Sequence, residues 1–385
     1  MKRIKRTLAA LLIVVLTLAL LGEAVFADNS EQPVWPEEGA IQLSKSAAAV
    51  EGKENTWEVT LGIQGKNYKT TSDVVLVIDN SNSMYDNSRM AKTKAAANAF
   101  VDTLLTEDST TRIALVVYNL NETHTGFYTY ENKAALKHQI DAIAKSRPET
   151  LGGTFTQLGL HTARTLLNSA ESTGQNKSIV LLSDGEPTAS YRIGGSITCT
   201  EDIEFTDYTL FFGVTKYATS NINWATAQIN CNYNKVDGNG EEFVTDAASG
   251  LEITGCKHAS DGGDDYITHG IATIWESNQA KADGTTIYSV ALQVGTNGEQ
   301  VLKACATNPT KGYFAIGSST NIETALKDAF TSIAGSISIA ARAGSVADTM
   351  GDKVQLVFKD AAPIITTDMA VYAAGRLHQS GHSLL

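Results

Sequence analysis

The chain has 385 residues, 43% of them hydrophobic and 19% charged, with 31 Gly and only 6 Pro. At about 150 residues per domain this allows two or three domains, and the balance excludes a collagen-like, proline-rich or wholly disordered chain. Formal net charge is −12 and the basic run is confined to the first six residues, so the cationic stripe of a nucleic-acid binder is missing and the acidic surface suits divalent cations or a basic partner.

Residues 1–27 read as an export signal. Lys2, Arg3, Lys5 and Arg6 form a cationic start, Leu8 to Leu21 is apolar apart from Thr17, and Val25-Phe26-Ala27 supplies small residues for cleavage. The apolar run is shorter than the roughly 18–20 residues of a spanning helix. Removing four basic residues and Glu23 takes the net charge from −12 to −15. The mature protein is therefore expected outside the membrane, secreted or on the cell surface.

Residues 28–70 form an N-terminal β segment, because Ile41–Lys45 and Thr56–Ile63 alternate apolar with polar side chains like half-exposed antiparallel strands. From about residue 71 the pattern changes. Val74–Ile78 (VVLVI) is an unbroken β-branched run that reads as a strand covered on both faces. It is followed by a helical pattern over Arg89–Leu105, a strand over Ile113–Tyr118, polar alternation over Thr123–Tyr130, and helices over Lys133–Lys145 and Gln157–Ala170. Ser178–Leu182 (SIVLL) and Thr286–Val294 are further buried strands, Gly312–Ile316 a short last one, and Ile322–Ile337 a closing helix. Buried strands separated by amphipathic helices specify an α/β domain over residues 71–340 with a doubly wound, mostly parallel sheet. Ligands of such sheets bind beyond the carboxyl ends of the strands.

Residues 189–265 interrupt the alternation, rich in Gly, Asn, Thr and Asp and without a sustained period. A structureless loop of that length is improbable in a compact domain, so this is read as a cross-linked insertion on the rim of the crevice. Three of the four cysteines, Cys199, Cys231 and Cys256, lie here, and at least one bridge is expected among them, with the connectivity open. Cys305 sits on a helical pattern and reads equally as a buried thiol. Asp237-Gly238-Asn239-Gly240-Glu241 lacks the spacing of an EF-hand and reads as a hairpin turn. Residues 341–385 hold a last alternating segment, Lys353–Phe358, and a tail that reads as a cut or altered terminus. With the N-terminal segment they suggest a β-sandwich-like part flanking the α/β domain.

The loops after the buried strands carry oxygen ligands. VVLVI runs into Asp79-Asn80-Ser81-Asn82-Ser83, SIVLL runs into Ser183-Asp184-Gly185-Glu186, and Gly152-Gly153-Thr154-Phe155-Thr156 opens the helix between them. A hard divalent cation such as Mg²⁺ takes about six oxygens in an octahedron, and Asp79, Ser81 and Ser83 converge if their loop curls around the ion.

This D-x-S-x-S, G-G-T-x-T and S-D-G constellation resembles the von Willebrand factor type A domain with its metal-ion-dependent adhesion site. The resemblance implies that Ser81 and Ser83 ligate Mg²⁺ or Mn²⁺ through their hydroxyls and that Thr154 is a direct ligand in the ligand-bound state. Asp79 and Asp184 would hold the ion directly or through waters, and an acidic side chain of a protein partner would complete the shell. Asn80, Asn82, Phe155 and Glu186 would form the rim. Residues 39–61 are similar to the strand before this domain in pilus-tip and surface adhesins of Gram-positive bacteria, where such a lysine joins a late asparagine. No Asn follows Asn321 and no L-P-x-T-G signal is present, so Lys45 reads as a surface lysine.

The expected function is a secreted or cell-surface adhesion module, not an enzyme, binding a host or matrix protein or another surface subunit through a metal-bridged carboxylate. The alternatives are a metal-assisted hydrolase and a structural pilus subunit. Hydrolysis has little support, since H-E-x-x-H, G-x-S-x-G and a P-loop are all absent and Glu186 is the only base near the expected ion.

Overall fold

A computed structural model of the chain describes residues 41–54, 57–65, 71–143, 152–207, 213–247, 250–257, 265–317, 321–338, 346–347 and 383–384. The expected export signal, the segment Lys353–Phe358 and the tail lie outside these residues. The chain divides into two compact units, Met1–Tyr68 with Ile339–Leu385, and Lys69–Ser338. Among the described residues no helix is long and apolar enough to cross a membrane.

In the first unit, β1 (Ile41–Ala49) and β2 (Trp57–Gly65) pair antiparallel, with Lys45 opposite Leu61. Lys45 is exposed.

In the second unit the chain runs β3 (Ser72–Asp79), a 3-10 turn over Asn82–Ser88, α1 (Arg89–Leu104), β4 (Thr111–Tyr118), β5 (Glu122–His124), α2 (Lys133–Ala142), α3 (Thr156–Asn168) and β6 (Asn176–Ser183). An inserted block follows: β7 (Ser190–Asp207), β8 (Val214–Ile222), β9 (Gln228–Asp237), β10 (Val244–Asp246), β11 (Leu251–Thr254) and β12 (Tyr266–Thr268). The chain then returns through α4 (His269–Ala282), β13 (Thr286–Leu292), α5 (Thr296–Cys305), β14 (Tyr313–Ile316) and α6 (Ile322–Ser338).

The central sheet has the order β14-β13-β6-β3-β4-β5, parallel throughout except for β5. Strand β3 shows why an unbroken apolar run suits this position. Val74, Leu76 and Ile78 enter one core with Phe100 of α1 and Phe330 of α6, while Val75 and Val77 enter a second core with Leu160 of α3 and Leu302 of α5. Successive side chains point to opposite faces, and both faces are covered by helices. Helix α1 buries Met90, Thr93, Ala97, Phe100, Val101 and Leu104, one stripe at helical spacing.

One expectation about the elements is corrected. The alternation over Thr123–Tyr130 yields only the short β5, after which Tyr128 makes a single bridge to Ile113. The insertion is a sheet of its own, in which the 18-residue β7 pairs antiparallel with β9 along its first half and β8 along its second, and parallel with β11. Its small core gathers Ile193, Ile197, Ile222, Leu251, Ile253 and Ile267 against Ile271 of α4. Cys199 and Cys256 form a disulfide across this sheet, Cys231 is a half-buried thiol and Cys305 a buried one. Asp237–Glu241 is the turn after β9, with Gly238 and Gly240 at φ +85° and +91°, a backbone that strongly favours glycine.

Candidate metal centre

Strands β3 and β6 are parallel neighbours with Ile78 opposite Leu182, so Asp79 and Ser183–Asp184 leave the sheet side by side. The order reverses here: the chain leaves β3 for β4 on one side and returns to β6 on the other, which opens the crevice where doubly wound sheets take ligands. The end of β4 supports the third loop. Tyr118 O accepts from Asn80 N at 2.6 Å, and Asn119 O accepts from Phe155 N at 3.1 Å.

The loops after β3 and β6 form one hydrogen-bonded cluster, and the Thr154 loop packs against it. Asp79, fully buried, accepts from Ser81 N at 2.7 Å through Oδ1 and from the Ser183 hydroxyl at 2.5 Å through Oδ2. The hydroxyls of Ser81 and Ser83 lie 3.1 Å apart, and Ser83 donates to Asp184 Oδ1 at 2.7 Å. Thr154 closes the group: a Cβ on Gly185 would stand 3.3 Å from Thr154 Oγ1 and 3.8 Å from Ser83 Oγ. The structure thus brings Asp79, Ser81, Ser83, Thr154 and Asp184 together.

Burial, then the nearby Asp184 charge, pushes the Asp79 carboxyl up to about 7 against the lowering hydrogen bonds from Ser183 and Ser81. Burial also raises Asp184, opposed by Ser83 and Arg89. Two carboxylates held in one dry cluster call for positive charge.

Among the described residues no group of three or more His, Cys, Asp and Glu side chains forms a metal site; this cluster instead combines two carboxylates with hydroxyls. That all-oxygen donor set fits a hard divalent cation. The Asn82 Oδ1 beside it is buried without a hydrogen-bond partner among the described residues.

The expected rim is only partly a rim. Asn80 accepts from Tyr85 OH at 2.6 Å, and Asn82 packs against Gly152, where a Cβ would fall 2.1 Å from its Nδ2. Glu186 is half-buried, raised by burial against the Gly298 N–H and the Asn297 amide, and lines a cleft of about 360 Å³ with Asn221, Phe243, Asn297 and Lys303. Phe155 departs from the expectation. It is buried and meets Tyr191 of β7 edge-on at 4.9 Å, so it ties the Thr154 loop to the insertion.

Further contacts tie the insertion to this loop. Thr154 N donates to Thr188 Oγ1 at 2.8 Å and Thr188 N to Thr154 O at 2.9 Å. Gly240 packs so closely on Gly152 that a Cβ there would lie 2.2 Å from its carbonyl oxygen. The sequence reading missed Ser183, Thr188, Gln293 and above all Arg89. The Arg89 guanidinium donates to Asp184 Oδ2 at 2.7 Å, to Ser83 O at 3.2 Å and to Gln293 Oε1 at 2.9 Å. Only Ser183 had a local signal, as the residue before Asp184.

A buried histidine offers little to hydrolysis. His269 pairs with Ser190 at 2.8 Å, and both are buried. Burial pushes the imidazole down to about 4, so it stays neutral and out of reach of an incoming substrate.

Residues 73–211 match the family model described as von Willebrand factor type A domain. The minor fimbrium subunit Mfa5 of Porphyromonas gingivalis is 34% identical over 183 residues, which is 44% of this chain and 14% of that relative; the chain thus spans about a seventh of that protein. The solved vWF domain of the type V pili tip protein Mfa5 from the same organism matches at 23% identity and TM-score 0.51, covering 73% of this chain and 99% of that one. The pilus adhesin SpaC from Lactobacillus rhamnosus GG matches at 18% identity and TM-score 0.54, covering 82% of this chain and 37% of that one. Residues 73–211 thus match the von Willebrand factor type A domain, the mostly parallel sheet between two helical layers is the von Willebrand factor type A fold, and the chain is similar in sequence to a fimbrium subunit and in fold to a pilus adhesin.

Proposed function

We propose that this chain is an extracellular, pilus- or surface-associated adhesion module that grips an acidic group of a protein partner through Mg²⁺ or Mn²⁺. Ser81, Ser83 and Thr154 would offer hydroxyl oxygens to the ion, and Asp79 and Asp184 would hold it directly or through water. When bound, the ion supplies a Lewis-acidic point for the partner's carboxylate. The observation that carries this reading is the cluster itself, in which two buried carboxylates from neighbouring strands join three hydroxyls from two loops. Similarity to a fimbrium subunit and to a pilus adhesin favours adhesion or pilus assembly over turnover.

The test is attachment of the purified chain to a panel of immobilised host and matrix proteins, with Mg²⁺ or with EDTA, alongside Asp79→Ala and Asp184→Ala. Attachment that EDTA abolishes and both variants lack supports the reading. Attachment indifferent to EDTA contradicts it. Metal-dependent melting without any metal-dependent partner would favour a structural pilus subunit instead.

A further inference from the structure

We propose that Arg89 is a built-in counter-charge that restrains metal binding at this site and reserves part of the ion's charge for the partner. The inference rests on the metal-binding reading above.

Its basis is geometric. The Arg89 side chain is only 14% exposed, and the Asp184 side chain it meets is fully buried. Asp184 divides its two oxygens between different donors, Oδ1 to Ser83 and Oδ2 to Arg89. A charge-assisted bond of this kind is about twice as strong as a neutral one. Arg89 therefore holds Oδ2, and Oδ1 is the oxygen that Asp184 turns toward the serine hydroxyls. The guanidinium is itself fixed from two further sides, by Ser83 O and by Gln293 Oε1. Gln293 ends the neighbouring strand in a left-handed conformation at φ +57°, uncommon for a residue that is not glycine. The positive charge is thus anchored at three points.

Charge accounting gives the consequence. Ionised Asp79 and Asp184 place two negative charges in the cluster, and Arg89 returns one. A dication added there leaves a net positive charge that an incoming carboxylate neutralises. Without Arg89 the protein alone would neutralise the ion, and the partner's carboxylate would gain less. Arg89 acts through Asp184 and through its charge, and so is a positioning residue.

The experiment is calorimetric titration of the full chain with Mn²⁺ and with Mg²⁺, no partner present, for wild type, Arg89→Met and Arg89→Lys. A fixed charge within a few ångströms shifts an ionic equilibrium by about ten- to a thousandfold; partial exposure points to the lower end. Arg89→Met is expected to bind Mn²⁺ about tenfold more tightly, and Arg89→Lys, which keeps the charge, within about threefold of wild type. Acetate, as a carboxylate probe, is expected to strengthen Mn²⁺ binding more in wild type than in Arg89→Met. Equal or weaker metal binding by Arg89→Met overturns the inference, because a purely structural arginine would lower affinity when lost. Arg89→Gln, equally neutral, carries the same expectation if the methionine variant does not fold. Should neither neutral variant fold, a change of tenfold or more in Arg89→Lys overturns the inference. Wild type that binds no metal removes the proposed function as well; wild type that binds while the neutral variants gain nothing removes only this inference.

Discussion

Replacing Asp79 by Asn is expected to stabilise the metal-free protein above neutral pH. The native carboxyl is raised from 3.8 to about 7 by burial and by Asp184, so between these values the folded chain holds a proton that the unfolded chain has released. Stability of wild type therefore falls as pH rises through that window and is lowest above it. At about 1.4 kcal/mol per unit the shift sets an upper bound of about 4 kcal/mol. We take about half, about 2 kcal/mol, because Asp79 and Asp184 share their protons. Asn keeps the acceptor for Ser81 N–H, and its amide can donate to the Ser183 hydroxyl that Asp79 now accepts from. For a domain of this size about 2 kcal/mol corresponds to roughly 5 °C in melting temperature. In EDTA at pH 8, Asp79→Asn should melt above wild type by about that amount, and the gap should narrow toward pH 5. With Mg²⁺ at about a hundredfold over its Kd, wild type should gain about 2.7 kcal/mol and the variant little. A variant that melts below wild type in EDTA at pH 8, or that gains equally from Mg²⁺, would refute the reasoning.

Three other perturbations separate the site from its supports. Asp73 is buried, bonded by Arg112 at 2.8 and 2.7 Å, by Ser172 Oγ at 2.9 Å and by Gly174 N at 2.8 Å; Asp73→Asn should cost about 3 kcal/mol in chemical denaturation yet leave the Mn²⁺ affinity of the folded protein unchanged. Gly240→Ala forces a Cβ onto the Gly152 carbonyl at positive φ, so it should lower stability by about 2 kcal/mol and weaken Mn²⁺ binding in the same titration by displacing the Thr154 loop. Cys256→Ser opens a bridge between residues 57 apart in sequence, worth about 4 kcal/mol of chain entropy. Hydrogen exchange should then quicken in β7, β8 and β11 while β3 and β6 stay protected.

The central sheet was legible because β3, β4 and β6 bury both faces, so their apolar runs are unbroken. The same condition hid helix α4. His269–Ala282 buries His269, Thr273, Glu276 and Ser277 together with its apolar residues, and so shows no clear amphipathic stripe. Strand β7 was illegible for another reason. It changes partner along its length, with register shifts at Tyr191/Arg192 and between Cys199 and Asp202, and much of it is half-exposed, so no single alternation runs through it. In the site, Asp79, Ser81 and Ser83 are local to one loop, and Thr154 and Asp184 stand beside recognisable glycines. Arg89 had no such signal. It lies 95 residues from Asp184 and 204 from Gln293, and in sequence it is simply the first residue of a helix.

The most direct measurement is a Mn²⁺ titration of the EDTA-stripped full chain, comparing wild type with Asp79→Ala and Asp184→Ala. The account predicts one saturable site in wild type that both substitutions abolish. No saturable binding by wild type, or binding that survives both substitutions, would contradict it.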